Sequence, residues 1–536
     1  MNRLRIAAVA AALAFPAVPS RAVDTGEIAC KTTRECNERA ARIGAKGDVS
    51  SSTENTTSPQ DQLEDQFYWT GKINRASAVM LTEEKIVTPE MGRKLARGVD
   101  EVLVKAAQPG AKRPSDMLQI EKLLSDVLGP DASIIHTGRS RQDMLATYRR
   151  AKLRNQLLDF SDALNEMRER FVALAGKNVE TFIPAYTNGV QAQPISFAHY
   201  LLAYEASFDR DAQRIRELYP RLNRSAMGAA VLANSIWPLN RGRMAELMGF
   251  DGFIENSFDA TQVNPSDVAI EATSIASSVA VRLSMVIEYI HTQYHQTRPW
   301  LYLGEGATYT SSAMPQKANP GLVMRVREEA ANVIGLAQTV TLRSHNVDAG
   351  MTDYKSPAAE LGFFPHAMKM LKETDAVMGA LVVDPKRALE ELEGDWTASM
   401  ELAEFLQKDH GIPFRVGHGF SSAVVTYAKA HDLKPADFPY AKAVELYAEA
   451  IRKAGLPDTK LPLAEAEFHH ILSPEYMVRT RVGIGGPQPA EVRRMLAQAR
   501  KTLDADKTWM TAARKRISDA DARLDDAFEK LTGTAK

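Results

Sequence analysis

The chain has 536 residues, 45% of them hydrophobic and 25% charged, with a formal net charge of -1. That length can bury a large core and should divide into more than one domain. The near-neutral balance offers no basic surface for a phosphate backbone, so nucleic acid is not expected as a partner.

The first 22 residues, MNRLRIAAVAAALAFPAVPSRA, place Arg3 and Arg5 ahead of an apolar run that ends near Val18, followed by small residues. This is the pattern of a signal peptide, and the run falls below the roughly 20 apolar residues that a membrane span needs. The mature chain is therefore expected to begin near Val23 and to work in the periplasm or outside the cell, without a membrane anchor. Residues 23–65 read as a flexible segment, polar and Ser/Thr-rich from Ala45 to Asp65. Its Cys30 and Cys36 either close a small disulfide loop or stay as free thiols. A CX5C pair without partnered histidines has the wrong ligand count for zinc.

Folded sequence begins at about Gln66. Apolar positions then recur at three and four rather than two, which predicts an all-α chain with almost no strand. Turn clusters at Gly129-Pro130 and Asp384-Pro385 divide it into an N-terminal helical domain (66–133), a central helical bundle (134–385) and a C-terminal helical domain (386–536). GIGGPQP, Gly483 to Pro489, opens the last helical stretch.

Three long stripes build the bundle. Ser196 caps a helix carrying Phe197, Leu201, Tyr204 and Phe208; Ile275, Val279, Leu283, Val286 and Ile290 form the second; Leu322, Val326, Ala330, Val333 and Ala337 form the third. Small residues such as Ala276, Ser277, Ala280 and Ser284 allow close approach of neighbours, which belong either to the same chain or to other copies of it.

The densest chemistry lies in GEGATYTSSAMPQKANP, Gly304 to Pro320. Ser311, Lys317 and Asn319 can remove a proton beside a carboxylate, because Lys and Asn neutralise the charge that then builds on its oxygens. Serine is a poor base unless lysine and loop amides lower its pKa. The bland alternative is a polar surface loop. A second segment, HTGRSRQD, His136 to Asp143, offers Thr137, Ser140, Arg141 and Gln142 within one turn, either as a carboxylate grip or as a capped helix start. A third, PAYTNGVQAQP, Pro184 to Pro194, presents Thr187, Asn188, Gln191 and Gln193. His136, His199, His291, His295 and His418 read as packed or surface residues rather than metal ligands.

Taken together, these segments resemble the fumarase/aspartase superfamily, and within it the argininosuccinate lyases. Thr310 to Pro320 is similar to that family's GSSxMPxKxNP, His136 to Asp143 to HTGRSRND, and Thr187 to Pro194 to THLQxAQP. Weaker similarity runs from about Asn74 to Ala497. The resemblance implies a three-domain, all-α homotetramer with a long central bundle and active sites shared between subunits. It implies anti β-elimination from a small molecule with a succinyl moiety, usually releasing fumarate, with no metal or organic cofactor. Ser311 is then the base, and Lys317 and Asn319 stabilise the aci-carboxylate intermediate. Thr137, Ser140, Arg141, Gln142, Thr187, Asn188, Gln193, Ser312 and Met314 contact substrate.

Two departures stand out. Asn188 and Met324 occupy the positions of the family's His–Glu pair, so both members of a proton-carrying pair are changed together. In HNVDAGMTDYK, His345 and Gly350 replace the tyrosine and glutamine expected at the amine end of the substrate. An altered amine is expected.

Overall fold

The computed structural model describes residues 64–533, apart from 109, 110, 112, 113, 115, 305 and 352–361. The expected leader, most of the 23–65 segment, Cys30, Cys36 and the far end of the HNVDAGMTDYK segment lie outside the described residues.

The N-terminal unit contains α1 (Gln66–Glu83), α2 (Pro89–Ala106) and α3 (Met117–Leu128), followed by a 3-10 turn, Gly129–His136. Asp65, Thr88 and Asp116 each accept a first-turn amide, which satisfies donors that a helix start leaves open. Trp69, Ile73, Leu95, Val99 and Leu124 share one core. Each fully buried side chain of this kind contributes roughly 1.5–3 kcal/mol.

Next comes α4 (Arg141–Lys177), then a hairpin of β1 (Phe182–Thr187) and β2 (Val190–Ser196), then α5 (Phe197–Leu222) and the short α6 (Arg241–Leu247). A π-helical turn, Asp259–Val263, leads into α7 (Asn264–Gln293). Strands β3 (Leu301–Leu303), β4 (Tyr309–Thr310) and β5 (Ala318–Asn319) precede α8 (Gly321–Ser344), α9 (Phe363–Ala380) and β6 (Leu381–Val383). Helices α4, α5, α7, α8 and α9 pack around a common core. The three expected stripes face that core: of their residues only Tyr204 and Leu322 are partly exposed.

The C-terminal unit has α10 (Pro385–Glu393), α11 (Met400–His410), α12 (Phe414–Ala430), α13 (Tyr440–Lys453), α14 (Glu465–Ile471) and α15 (Pro474–Arg479). Leu402, Phe420, Tyr447 and Phe468 lie in its separate core. The last helix, α16 (Pro489–Thr532), leaves this unit. Its Val492 and Leu496 enter the bundle core, Met510 meets Leu158 and Tyr219, and Leu524 and Phe528 reach the N-terminal core. Within the stretch expected as one domain, 386–536, the stripe of α16 thus packs on surfaces outside the unit that precedes it.

Strand is more frequent than the apolar spacing predicts. Three two-stranded sheets occur among the described residues: β1 with β2, β3 with β6, and β4 with β5.

Candidate active site

The Gly304–Pro320 segment is a hairpin fixed at its base. β3 pairs antiparallel with β6, and the Gly304 amide donates to the Ala380 carbonyl at 2.8 Å, which staples the loop to the end of α9. Higher up, Tyr309 pairs with Asn319 and Thr310 with Ala318. The Ser311 amide donates to the Lys317 carbonyl at 3.1 Å, and the Lys317 amide to Met314 at 3.0 Å, so these residues close the tip. A Cβ on Gly321 would meet the Tyr309 ring at 3.0 Å, so glycine lets α8 start directly beneath the hairpin.

At the tip, Ser311 Oγ accepts hydrogen bonds from the amides of Ala313 and Met314, at 3.3 and 3.2 Å. Both donors favour negative charge on that oxygen. Ser311 and Asn319 are half-buried, while Ser312, Met314 and Lys317 are exposed. The Lys317 ammonium has no carboxylate partner among the described residues. Asn319 Nδ2 donates to the Tyr309 carbonyl at 3.2 Å, which orients its carboxamide.

The β1–β2 hairpin stands at the same end of the bundle. It turns through Asn188 and Gly189, with φ of 52° and 78°, the left-handed pair that a two-residue hairpin turn requires. Tyr289 of α7 donates to the Pro184 carbonyl at 3.3 Å and meets the Tyr186 ring edge-on. Thr187 and Asn188 are exposed at the tip. Gln191 donates to Glu391 at 3.0 Å, and Gln193 faces Met400 Sδ at 3.9 Å. Arg327 in α8 lies 3.3 Å from His291 Nδ1 in α7, so the start of α8, with exposed Met324, adjoins this end too.

The His136–Asp143 segment forms the entry of α4. Ser140 is the N-cap: its Oγ accepts the Gln142 amide at 3.1 Å and donates to the Ala230 carbonyl at 2.6 Å. Thr137 Oγ1 donates to Ile134 at 2.8 Å. Arg141 is exposed and Gln142 half-buried on the rim. Beneath them are two charged groups that the motif reading did not single out. Arg139 donates to Asn74 Oδ1 at 2.6 Å and to Ser77 Oγ at 2.8 Å, and burial lowers its pKa to about 10. Asp143 accepts amides from Ser140, Gly228 and Ala230 at 2.9, 3.0 and 3.1 Å. Burial raises its pKa to about 7 against the opposing pull of those amides and Arg139.

This entry lies at the other end of the bundle. Thr261, just before α7, donates to the Val231 carbonyl at 2.6 Å, beside Ala230. Gly350, beyond the end of α8, sits so close to Gln262 that an added Cβ would lie 3.4 Å from its Oε1. Asn264 and Tyr289, which bracket α7, are separated by roughly 40 Å at 1.5 Å per residue. One chain thus brings Thr187, Asn188, Gln193, Ser311, Ser312, Met314, Lys317 and Asn319 to one end of the bundle. It carries Thr137, Ser140, Arg141, Gln142 and Gly350 at the opposite end.

Comparison with known proteins fits this geometry. A family model described as a lyase matches residues 90–335, and one described as the argininosuccinate lyase C-terminal region matches residues 396–479. Argininosuccinate lyase of Geobacillus sp. (strain WCH70) is 33% identical over 445 residues, covering 80% of this chain and 91% of that protein. Argininosuccinate lyase of Methylibium petroleiphilum is 32% identical over 454 residues, covering 82% and 92%. Among solved structures, EDDS lyase in complex with formate superposes with a TM-score of 0.78 at 27% identity, covering 88% of this chain and 92% of that one. Fumarate lyase from Mesorhizobium sp. BNC1, with a TM-score of 0.63 at 15% identity over 83% of this chain and 99% of that one, shares the fold.

Proposed function

This chain belongs to the fumarase/aspartase superfamily as an argininosuccinate lyase-like carbon–nitrogen lyase, and from that premise we propose that it is exported and cleaves an N-substituted aspartate whose amine is not arginine. The supporting observation is Ser311 Oγ, held by two loop amides on a hairpin that also carries Lys317 and Asn319.

The reaction is an anti β-elimination. Ser311 takes the proton from the carbon beside one carboxylate, and the electron pair moves into that carboxylate. Lys317 and Asn319 meet the second negative charge on its oxygens, where preoriented donors are worth most. Collapse forms the double bond of fumarate and expels the amine, which must gain a proton unless its nitrogen is already protonated when bound. Asn188 and Met324 cannot supply that proton, so the substrate is one whose amine leaves readily or is protonated by another group. His345 and Gly350, in place of the family's tyrosine and glutamine, support a different amine pocket. The Arg-led apolar leader supports export.

A complete site in this reading draws on more than one copy, because the α4 entry and the Ser311 loop stand at opposite ends of the chain's own bundle. The exposed face of α7 and α8 supports a homotetramer. It presents Val281, Met285, Ala331 and Gly335, apolar or small residues that let partner helices approach.

The test is fumarate release, followed by its short-wavelength ultraviolet absorbance, from a panel of N-substituted aspartates that includes argininosuccinate. Release from members other than argininosuccinate supports the proposal. Release from argininosuccinate alone identifies argininosuccinate lyase proper. Dicarboxylate binding without release marks a non-catalytic relative.

A further inference from the structure

We infer that Asp143 is a positioning residue for the substrate grip, its buried carboxylate fixing the entry of α4 against the Ser225–Val231 loop. The inference rests on the reading of Ser140, Arg141 and Gln142 as carboxylate contacts. It assigns a role to a side chain that touches no substrate itself.

An ordinary capping box needs one acceptor, reaching back from the third helical residue to the N-cap amide. Asp143 Oδ1 does this for Ser140, at 2.9 Å. Its second oxygen accepts the amides of both Gly228 and Ala230, at 3.0 and 3.1 Å. Those amides converge because Gly228 and Ala230 hold left-handed conformations, with φ of 76° and 55°. Two alternate amides thus point into one concavity, as in a backbone nest, and here the acceptor they surround is the protein's own carboxyl.

Ala230 is bound twice, since its carbonyl accepts from Ser140 Oγ at 2.6 Å. The loop is clamped from its other side by Arg241. That guanidinium donates to the carbonyls of Met227, Ile254 and Glu255 at 3.0, 2.7 and 2.9 Å. A Cβ on Gly228 would come within 2.8 Å of Arg241 Cγ, so the loop has no slack there. Asp143 is 0% exposed, so water cannot replace it as acceptor. Loss of its paired acceptor oxygens would free the loop and let the Ser140–Gln142 turn drift, and a shift of about 1 Å at a grip is enough to cost affinity.

The experiment is calorimetric titration of the full chain with fumarate. Stoichiometry reports the folded fraction, whereas Kd reports the geometry of the grip. Asp143→Asn puts a donor against inward-pointing amides and is expected to weaken fumarate binding about tenfold or more, with stoichiometry retained. Arg241→Lys loosens the same loop from its far side and is expected to weaken binding several-fold. Unchanged Kd in folded Asp143→Asn overturns the inference. If that variant does not fold, unchanged Kd in Arg241→Lys overturns it alone. Failure of the unsubstituted chain to bind fumarate would overturn the lyase reading and this inference with it, before any substitution is made.

Discussion

Ser311 Oγ lies 3.2 Å from the Met314 backbone nitrogen, whose N–H donates to it, and the Ala313 amide adds a second donor at 3.3 Å. A hydroxyl oxygen held by two fixed dipoles can carry negative charge with little further reorganisation, which is what a serine base requires. Ser311→Ala is therefore expected to lower the rate of fumarate release by roughly 10²–10⁴-fold. Circular dichroism should be unchanged, because the hydrogen bonds of this side chain among the described residues lie within its own hairpin tip. A variant that keeps more than a tenth of the activity would take the base's role away from this residue.

Restoring a proton-carrying pair tests the other half of the mechanism. Asn188 sits at φ 52°, a conformation that histidine tolerates better than most side chains. Met324 is exposed in the first turn of α8, where a carboxylate is favoured by the helix dipole. The double variant Asn188→His, Met324→Glu should accept both changes without unfolding. It is expected to speed fumarate release about tenfold from substrates with weakly basic arylamines, whose nitrogen binds unprotonated, and little from those with strongly basic alkylamines, whose nitrogen already carries the proton it leaves with. Equal effects on both classes would show that amine protonation does not limit the unsubstituted protein.

The bundle was legible because its stripes are long and its apolar spacing consistent. Ile275, Val279, Leu283, Val286 and Ile290 all face the core as the three-and-four spacing requires. The Asn188-Gly189 turn carried a hairpin signal that helical periodicity on either side obscured. The path of α16 was not legible, because an amphipathic stripe states that a face is buried and not against what. That Ser311, Lys317 and Asn319 share one hairpin was legible, since they lie close together in one short loop. Asp143 could not, because its role depends on amides about 85 residues away in sequence. A chain read linearly also hides that two motifs lie at opposite ends of one helix pair.

Stability should depend heavily on Arg168, which is 0% exposed and joins three helices. Its guanidinium donates to Asp506 at 2.6 Å, Asp209 at 2.8 Å and Glu205 at 3.0 Å, linking α4, α5 and α16. Arg168→Met would leave buried carboxylates without this partner, at a cost of about 3–5 kcal/mol. Adding Glu205→Gln removes one stranded charge, so the double variant should be more stable than the single one. Thermal unfolding at pH 7 checks the order. A single variant that melts with the unsubstituted protein would show that Arg216, the other cation on Asp506, suffices.

Asp143 predicts a stability that falls as pH rises. Its folded pKa is raised from 3.8 to about 7, with burial the largest cause, so the folded state prefers the neutral carboxyl. The resulting contribution is fully present below pH 3.8 and is lost as pH climbs through about 7, a change of at most roughly 4 kcal/mol. Asp143→Asn imitates the neutral form and cannot ionise. The difference in melting temperature, unsubstituted protein minus variant, should therefore decline between pH 5 and pH 8, while groups that titrate in both proteins cancel. Neither charged neighbour interferes in that window, because His136 is lowered to about 4 and Arg139 stays charged with a pKa of about 10. A variant that gains stability at high pH while losing fumarate affinity would show a charge kept for the grip at the expense of the fold. A difference that stays flat or rises with pH would mean that the three amides and Arg139 outweigh burial, leaving Asp143 ionised at low cost.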